Sequence, residues 1–227
     1  MAAPDAAARV LDCNGAVHMS GGTEVWSEGD GGESPEEGLA SFFEIEQPTL
    51  PRSGYHAERL DDDRVLFSYD VDGETKVAVT VARDRPRRPD WGPATFAACD
   101  PAELPASFAD GLGIEIWTDR DGNRVPTTKV HSGVGPAHCS WETSHYVSTD
   151  AAGQSATFAR DAEGILPSYM LEAPYDEDAA MPGDARDTGY RLGDWELWAV
   201  PGAAMVFMRT PNGVEAWPAV KDGMGCV

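Results

Sequence analysis

From residue 54 to residue 82 the chain alternates apolar and polar positions with a period of two, interrupted twice by short acidic turns. A chain patterned this way is committed to antiparallel strands, because only the pleated strand sends successive side chains to opposite faces. The spacing predicts strands over 54–60, 64–69 and 75–82, with Asp61-Asp62-Asp63 and Asp70-Val71-Asp72-Gly73 as the turns. In the third strand Val77, Val79 and Val81 alternate with Ala78, Thr80 and Ala82, so the branched face is expected to meet the core and the small face to lie opposite. A fourth strand is expected over 91–98, just before Cys99.

Further along, the pattern predicts a strand, tight turn and strand over 113–131 around Asp119 to Asn123, and a hairpin over 140–159. A second meander is expected over 189–218, with Asn212-Gly213 as its clearest turn. Residues 172–188 read as a long irregular loop, above the usual connection length. One helix stands out at 34–47: Ser34 suits the N-cap, Pro35 the first helical position, and Leu39, Phe42 and Phe43 share one face. One or two helical turns are expected within 102–112.

The fold class implied is α+β, mainly antiparallel β in two meander sheets, with one clear helix near the N-terminus. Residues 1–227 are read as a single compact domain, with 1–12 left without structure. Ser53-Gly54-Tyr55 and Thr188-Gly189-Tyr190 each open a meander, which leaves room for two related sheet halves, 53–147 and 148–227.

Charge narrows the partners. The formal net charge is -22, from 39 acidic and 17 basic residues, which opposes binding to phosphate backbones and to anionic lipid. The excess is concentrated in residues 1–50, with ten acids and one base, and in 151–200, with ten acids and three bases. A basic loop, Arg83 to Pro89, separates the two regions. No apolar run reaches the roughly 20 residues needed to cross a bilayer. Residues 1–9 contain Asp5 and lack a basic start followed by an apolar run, so no signal peptide is read within this chain.

Four dispersed cysteines, Cys13, Cys99, Cys139 and Cys226, show neither zinc-ribbon nor redox-pair spacing and are expected to form two disulfides. Three pairings are open. The expectation is Cys13 with Cys226, tying the ends of the chain, and Cys99 with Cys139, whose loop of about 40 residues is worth roughly 3–4 kcal/mol in the chain-entropy model. Disulfides place the protein outside the cytoplasm.

Chemistry-bearing clusters are few. His131, His138 and His145 recur every seven residues and are the candidate zinc ligands. Gly133, Gly135 and Pro136 rule out the helix that would align them, so exposed loop histidines are the expected outcome, with no metal or other cofactor. The Asp70 and Asp119 turns resemble the opening of a calcium loop, but Val81 and Val130 stand where the bidentate Glu would be, which leaves ordinary hairpin turns. No nucleophile signature and no phosphate-cradling glycine loop occurs, so no catalytic residue is assigned. Of the seven tryptophans, Trp195 and Trp198 are expected to point to opposite faces, making Trp198 a candidate contact.

The stretches Cys99-Asp100-Pro101-Ala102-Glu103-Leu104-Pro105, Ile116-Trp117-Thr118-Asp119 with Arg124-Val125-Pro126-Thr127, Gly135-Pro136-Ala137-His138-Cys139 with Trp141, and Asp187-Thr188-Gly189-Tyr190 resemble an uncharacterised family of actinobacterial exported or lipoprotein-like proteins. The resemblance covers most of the chain after Ser53 and implies a high-GC source and an envelope or extracellular setting, with no activity attached. Asp12 departs from the small residue that a lipid-attachment box requires before Cys13.

Together these readings point to a non-enzymatic, extracytoplasmic binding or structural module that recognises a protein partner through loops and acidic faces, with a cationic partner as one form that the charge allows. The expected contacts are Glu24, Glu28, Asp30 and Glu33 in one segment and Asp176, Glu177 and Asp178 in the other, with Trp198 beside them. An acidic inhibitor or immunity protein capping a cationic toxin or enzyme is the alternative. A hydrolase with an unrecognised site is a third.

Overall fold

The computed structural model describes residues 6–22, 31–45, 50–84, 88–153 and 155–221. The chain forms two compact units, Met1–Phe108 and Ala109–Val227. Among the described residues the fold is mostly antiparallel β, arranged in three sheets with three short helices.

In the first unit, β1 (Met19–Gly22), β2 (His56–Asp61), β3 (Arg64–Val71), β4 (Glu74–Asp84) and β5 (Arg88–Ala98) form one sheet in the order β1-β5-β4-β3-β2. The turn after β3 is closed by Asp72 (φ 54°) and Gly73 (φ 87°). Positive φ at both central residues matches the strand twist and is what an Asp-Gly pair supplies at low cost. Val77, Val79 and Val81 are fully buried beneath α2 (Pro35–Ile45), packed with Phe42 and Phe43.

Helix α2 begins where the sequence signals it. Ser34 Oγ accepts the Glu37 N–H at 3.2 Å, and Glu37 Oε2 accepts the Glu33 N–H at 2.6 Å, so two donors at the helix start are satisfied by side chains. Gly38 makes close packing possible: a Cβ there would lie 2.9 Å from the Trp91 carbonyl carbon and 2.7 Å from Val81 Cγ1.

The opposite face of the sheet is covered too. Helix α1 (Ala6–Arg9) lies within the stretch 1–12, and Ala7 packs on Leu66, Ala78 and Ala97. The small residues alternating with the valines of β4 therefore leave room for a covering segment.

That segment corrects the expected disulfide pairing. Cys13 is bonded to Cys99, with Cα atoms 5.4 Å apart and a sequence separation of 86. The Asp12 N–H donates to the Thr75 carbonyl and the His18 N–H to the Ala98 carbonyl, while β1 pairs with β5. These backbone bonds bring Cys13 to the end of β5, so Cys13 does not reach Cys226 and Cys99 is not left for Cys139. Cys139 is itself disulfide-bonded, and Cys226 lies outside the described residues.

The second unit holds two sheets. The first is β6 (Val130–Val134), β7 (His145–Thr149) and β8 (Ala156–Arg160). The second is β9 (Arg186–Leu192), β10 (Trp195–Ala199), β11 (Met205–Thr210) and β12 (Gly213–Pro218), in the order β12-β11-β10-β9. Both contribute to one core around Trp117, Phe158, Leu197, Met208 and Trp217. They are stitched where Val220 N–H donates to the Thr157 carbonyl at 2.7 Å. Helix α3 (Ala106–Gly111) lies at the division between the units.

Expectations of two sheets and one helix thus become, among the described residues, three sheets and three helices. The third sheet arises because β6, β7 and β8 pair among themselves in register. A smaller correction concerns the last hairpin: Thr210 pairs with Gly213, so the connecting residues are Pro211 and Asn212. Asn212 N–H donates to Thr210 Oγ1 and closes that turn.

Candidate functional site

Arginines neutralise the acids on the outer face of the four-stranded sheet. Asp187 accepts two hydrogen bonds from the Arg191 guanidinium, at 2.9 and 2.8 Å, and lies 3.0 Å from Arg120 Nη2. Hydrogen bonding to Arg191 holds its carboxyl well below the usual carboxylate range, against an opposing effect of burial. Glu196 stands between Arg191 (3.8 Å) and Arg209 (3.4 Å). Trp198 belongs to this ladder: its indole N–H donates to Glu196 at 3.0 Å and the Arg209 guanidinium lies 4.6 Å from its ring. It is half-buried, and its polar tip is already satisfied. On the core side of β10, Trp195 packs against His145 and Trp217 at ring distances of 5.4 and 5.8 Å, so the two tryptophans do face opposite ways.

A second polar group closes one end of the core. Glu115 Oε2 lies 2.8 Å from His145 Nε2, and the same oxygen accepts the Ser132 hydroxyl. Ser132 Oγ in turn accepts the Trp117 indole N–H at 2.8 Å. Burial pushes the Glu115 carboxyl up, but the hydrogen bonds from His145 and Ser132 outweigh it and hold the group below its ordinary value. A nucleophile needs its proton directed to a base that can take it away. Here the serine proton goes to a carboxylate that His145 also holds, and Ser132 is buried, so the three groups form a structural bridge between β6, β7 and the 115–117 segment.

The three candidate histidines are not brought together. His145 is committed to Glu115, His131 is exposed on the other face of the β6-β7 pair, and His138 is exposed in a 3-10 turn over Ala137–Cys139. Among the described residues, the one group of three ligand-type side chains within 4.8 Å is Cys13, Cys99 and Glu103, whose sulfurs are joined to each other. The calcium-like turn is saturated internally: Asp119 accepts the Asp121 and Asn123 N–H groups and the Asn123 amide, each at 2.9 Å.

What remains is a cleft and an acidic edge in the second unit. The Asp161 carboxylate is buried and accepts the Ile165 N–H at 2.8 Å and the Leu166 N–H at 3.2 Å, which winds residues 161–166 into a tight turn. After a 3-10 turn at Ser168–Met170, the chain runs antiparallel to residues 216–221. Glu172 N–H donates to the Ala219 carbonyl, Lys221 N–H to the Met170 carbonyl, and Asp176 and Ala216 exchange both backbone bonds. The expected irregular loop is therefore pinned along its first five residues. Between turn and edge lies a cleft of about 480 Å³, lined by Asp161, Leu166, Ser168, Leu171, Glu172 and Tyr175 among others.

Glu172 stands at the cleft, and Asp176, Glu177 and Asp178 follow on exposed backbone. Among the described residues, none of the four is paired with a cation. The nearest arginine, Arg160, is held by Glu215 at 2.9 Å. Of the other expected contacts, Glu33 is exposed ahead of α2, and Glu24, Glu28 and Asp30 lie outside the described residues. The sequence reading missed the cleft. Its one local signal is Asp161 placed four and five residues before the amides that it caps. Comparison of the chain with protein-family models, with curated proteins and with solved structures finds no match.

Proposed function

We propose that this chain is a non-enzymatic, extracytoplasmic binding module that holds a cationic protein partner on the acidic edge formed by Glu172, Asp176, Glu177 and Asp178. One observation carries the reading: the neighbouring acids Asp187, Glu196 and Glu215 each have an arginine partner, whereas among the described residues these four have none. Exposed carboxylates that lack an internal partner keep their field for an incoming cation, and a one-sign surface steers such a partner at low ionic strength. The Cys13–Cys99 disulfide supports an oxidising setting. Among the described residues no helix is long and apolar enough to cross a membrane.

An inhibitor or immunity role is the narrower form of the same reading. It is favoured by the pinning of the edge at Glu172 and Asp176, because a tethered loop loses less freedom on binding. The test is a calorimetric titration of hexalysine into the whole chain at low and high salt. Affinity that falls steeply with salt supports the acidic edge as a cation-binding face; salt-independent affinity, or none at low salt, overturns it.

A further inference from the structure

The cleft beside the acidic edge has the chemistry of a side-chain socket. Its volume of about 480 Å³ lies within the range typical of small-ligand sites. Leu166 and Leu171 supply apolar surface that is itself well buried, and Tyr175 supplies an aromatic wall. The Tyr175 hydroxyl is withdrawn from solvent beside Glu215, and the Arg160 guanidinium lies 5.8 Å from its ring. Two carboxylates reach the same space. Asp161 is occupied by its own turn, and Glu172 is exposed and has no cation among the described residues. Two cations lie nearby: Arg160 is neutralised by Glu215, and Lys221 lines the adjoining cleft of about 300 Å³ that shares Glu172.

A cleft that combines apolar lining from Leu166, Leu171 and Tyr175 with the exposed Glu172 carboxylate fits a ligand with an aliphatic stem and a cationic head. Lysine and arginine side chains have this form, burying their methylenes while the charge stays at the polar rim. We infer that the cleft between Asp161 and Tyr175 takes a lysine or arginine side chain of the partner, with the stem against Leu166, Leu171 and Tyr175 and the cation at Glu172. The inference rests on the cationic-partner reading above and adds to it an anchoring point. Anchors of this kind, seated in a pocket and ringed by weaker contacts, carry a disproportionate share of binding energy.

The test uses the whole chain labelled with nitrogen-15 and two small probes, N-acetyl-lysine methylamide and its norleucine counterpart, followed by amide shifts. The lysine probe is expected to shift amides within 161–175 saturably, and the norleucine probe is not. Glu172→Gln should weaken lysine-probe binding by about fivefold, the scale of a solvent-exposed ion pair. Ser168→Trp, which fills the cleft from an exposed position, should abolish it. Equal shifts from both probes, no shifts in this segment, or binding indifferent to Ser168→Trp would each overturn the socket. Hexalysine separates the two levels. If the triple reversal Asp176→Lys/Glu177→Lys/Asp178→Lys weakens hexalysine binding while Ser168→Trp and Glu172→Gln leave it intact, the socket fails and the acidic edge stands. If none of these changes matters, both fail.

Discussion

Lys76 Nζ lies 2.9 Å from Glu103 Oε2, and the two side chains are only 4% and 8% exposed. The ammonium also meets Glu74 at 2.8 Å and the Asp12 carbonyl, while the same Glu103 oxygen accepts the Asn14 N–H at 2.8 Å. One buried cation thus ties β4, the Pro101–Glu103 turn and the N-terminal segment together beside the Cys13–Cys99 bond. Burial works against the charge, and the hydrogen bonds to Glu74 and Glu103 outweigh it, so the Lys76 ammonium is held above the ordinary lysine value. Replacing it by methionine leaves Glu103 buried without its cation. Lys76→Met is expected to cost about 3–5 kcal/mol in urea unfolding; a loss well under 1 kcal/mol would mean that the pair is solvated.

The disulfide makes a separate prediction. Peptide mapping without reductant should recover a fragment that joins Cys13 to Cys99. With a sequence separation of 86 between the two, replacing both by serine should cost about 4–5 kcal/mol in the chain-entropy model. Recovery of a Cys13–Cys226 fragment instead would contradict the covering role of the N-terminal segment.

Asp187 predicts a pH dependence. Its folded carboxyl is depressed by Arg191, so its contribution to stability is complete above the unfolded carboxylate value of about 3.9 and is lost as the pH falls from there toward the folded one. Asp187→Asn should therefore destabilise the chain at pH 7 by about 2 kcal/mol, the scale of hydrogen bonds to a charged group. The gap between variant and parent should narrow below the ordinary carboxylate range. A gap that stays constant on acidification would rule out the Arg191 clamp as its source.

Glu115 and His145 predict a coupling. Each single change to alanine removes the same 2.8 Å contact, so the double change should cost less than the sum of the singles by about 1 kcal/mol in a double-mutant cycle. Because the His145 ring lies 5.4 Å from Trp195 and 5.7 Å from Trp217, both single variants should also alter tryptophan emission. Strict additivity would show that the bridge is not formed in solution.

Local patterns were legible where local physics decides. The valine alternation of β4, the Ser34 cap and the Asp72-Gly73 turn all act within a few residues, and each appears where the sequence places it. The expected pair of strands over 113–131 shows the limit of such reading. Thr118 does bridge Arg124, but Thr118 also pairs with Arg191, and Pro126 accepts the Lys129 N–H in a turn that delays β6 until Val130. The Pro126 ring nitrogen has no proton to give to a ladder, so a continuous strand could not run through it. Contacts between distant residues left no trace at all. Cys13 meets Cys99 because strand pairing carries it there, Glu115 reaches a histidine 30 positions away, and the cleft exists because residues 171–176 dock on 216–220.

On the proposed reading, the cation-binding field is local to the acidic edge and does not simply follow from a net charge of -22. Two triple variants with the same charge change separate these cases: Asp176→Lys/Glu177→Lys/Asp178→Lys, and Glu58→Lys/Asp110→Lys/Glu142→Lys at exposed positions elsewhere. Hexalysine affinity measured side by side at low salt should fall about tenfold or more in the first and change little in the second, since exposed charges beyond a Debye length are screened. Equal loss in both variants would contradict a dedicated face on this chain.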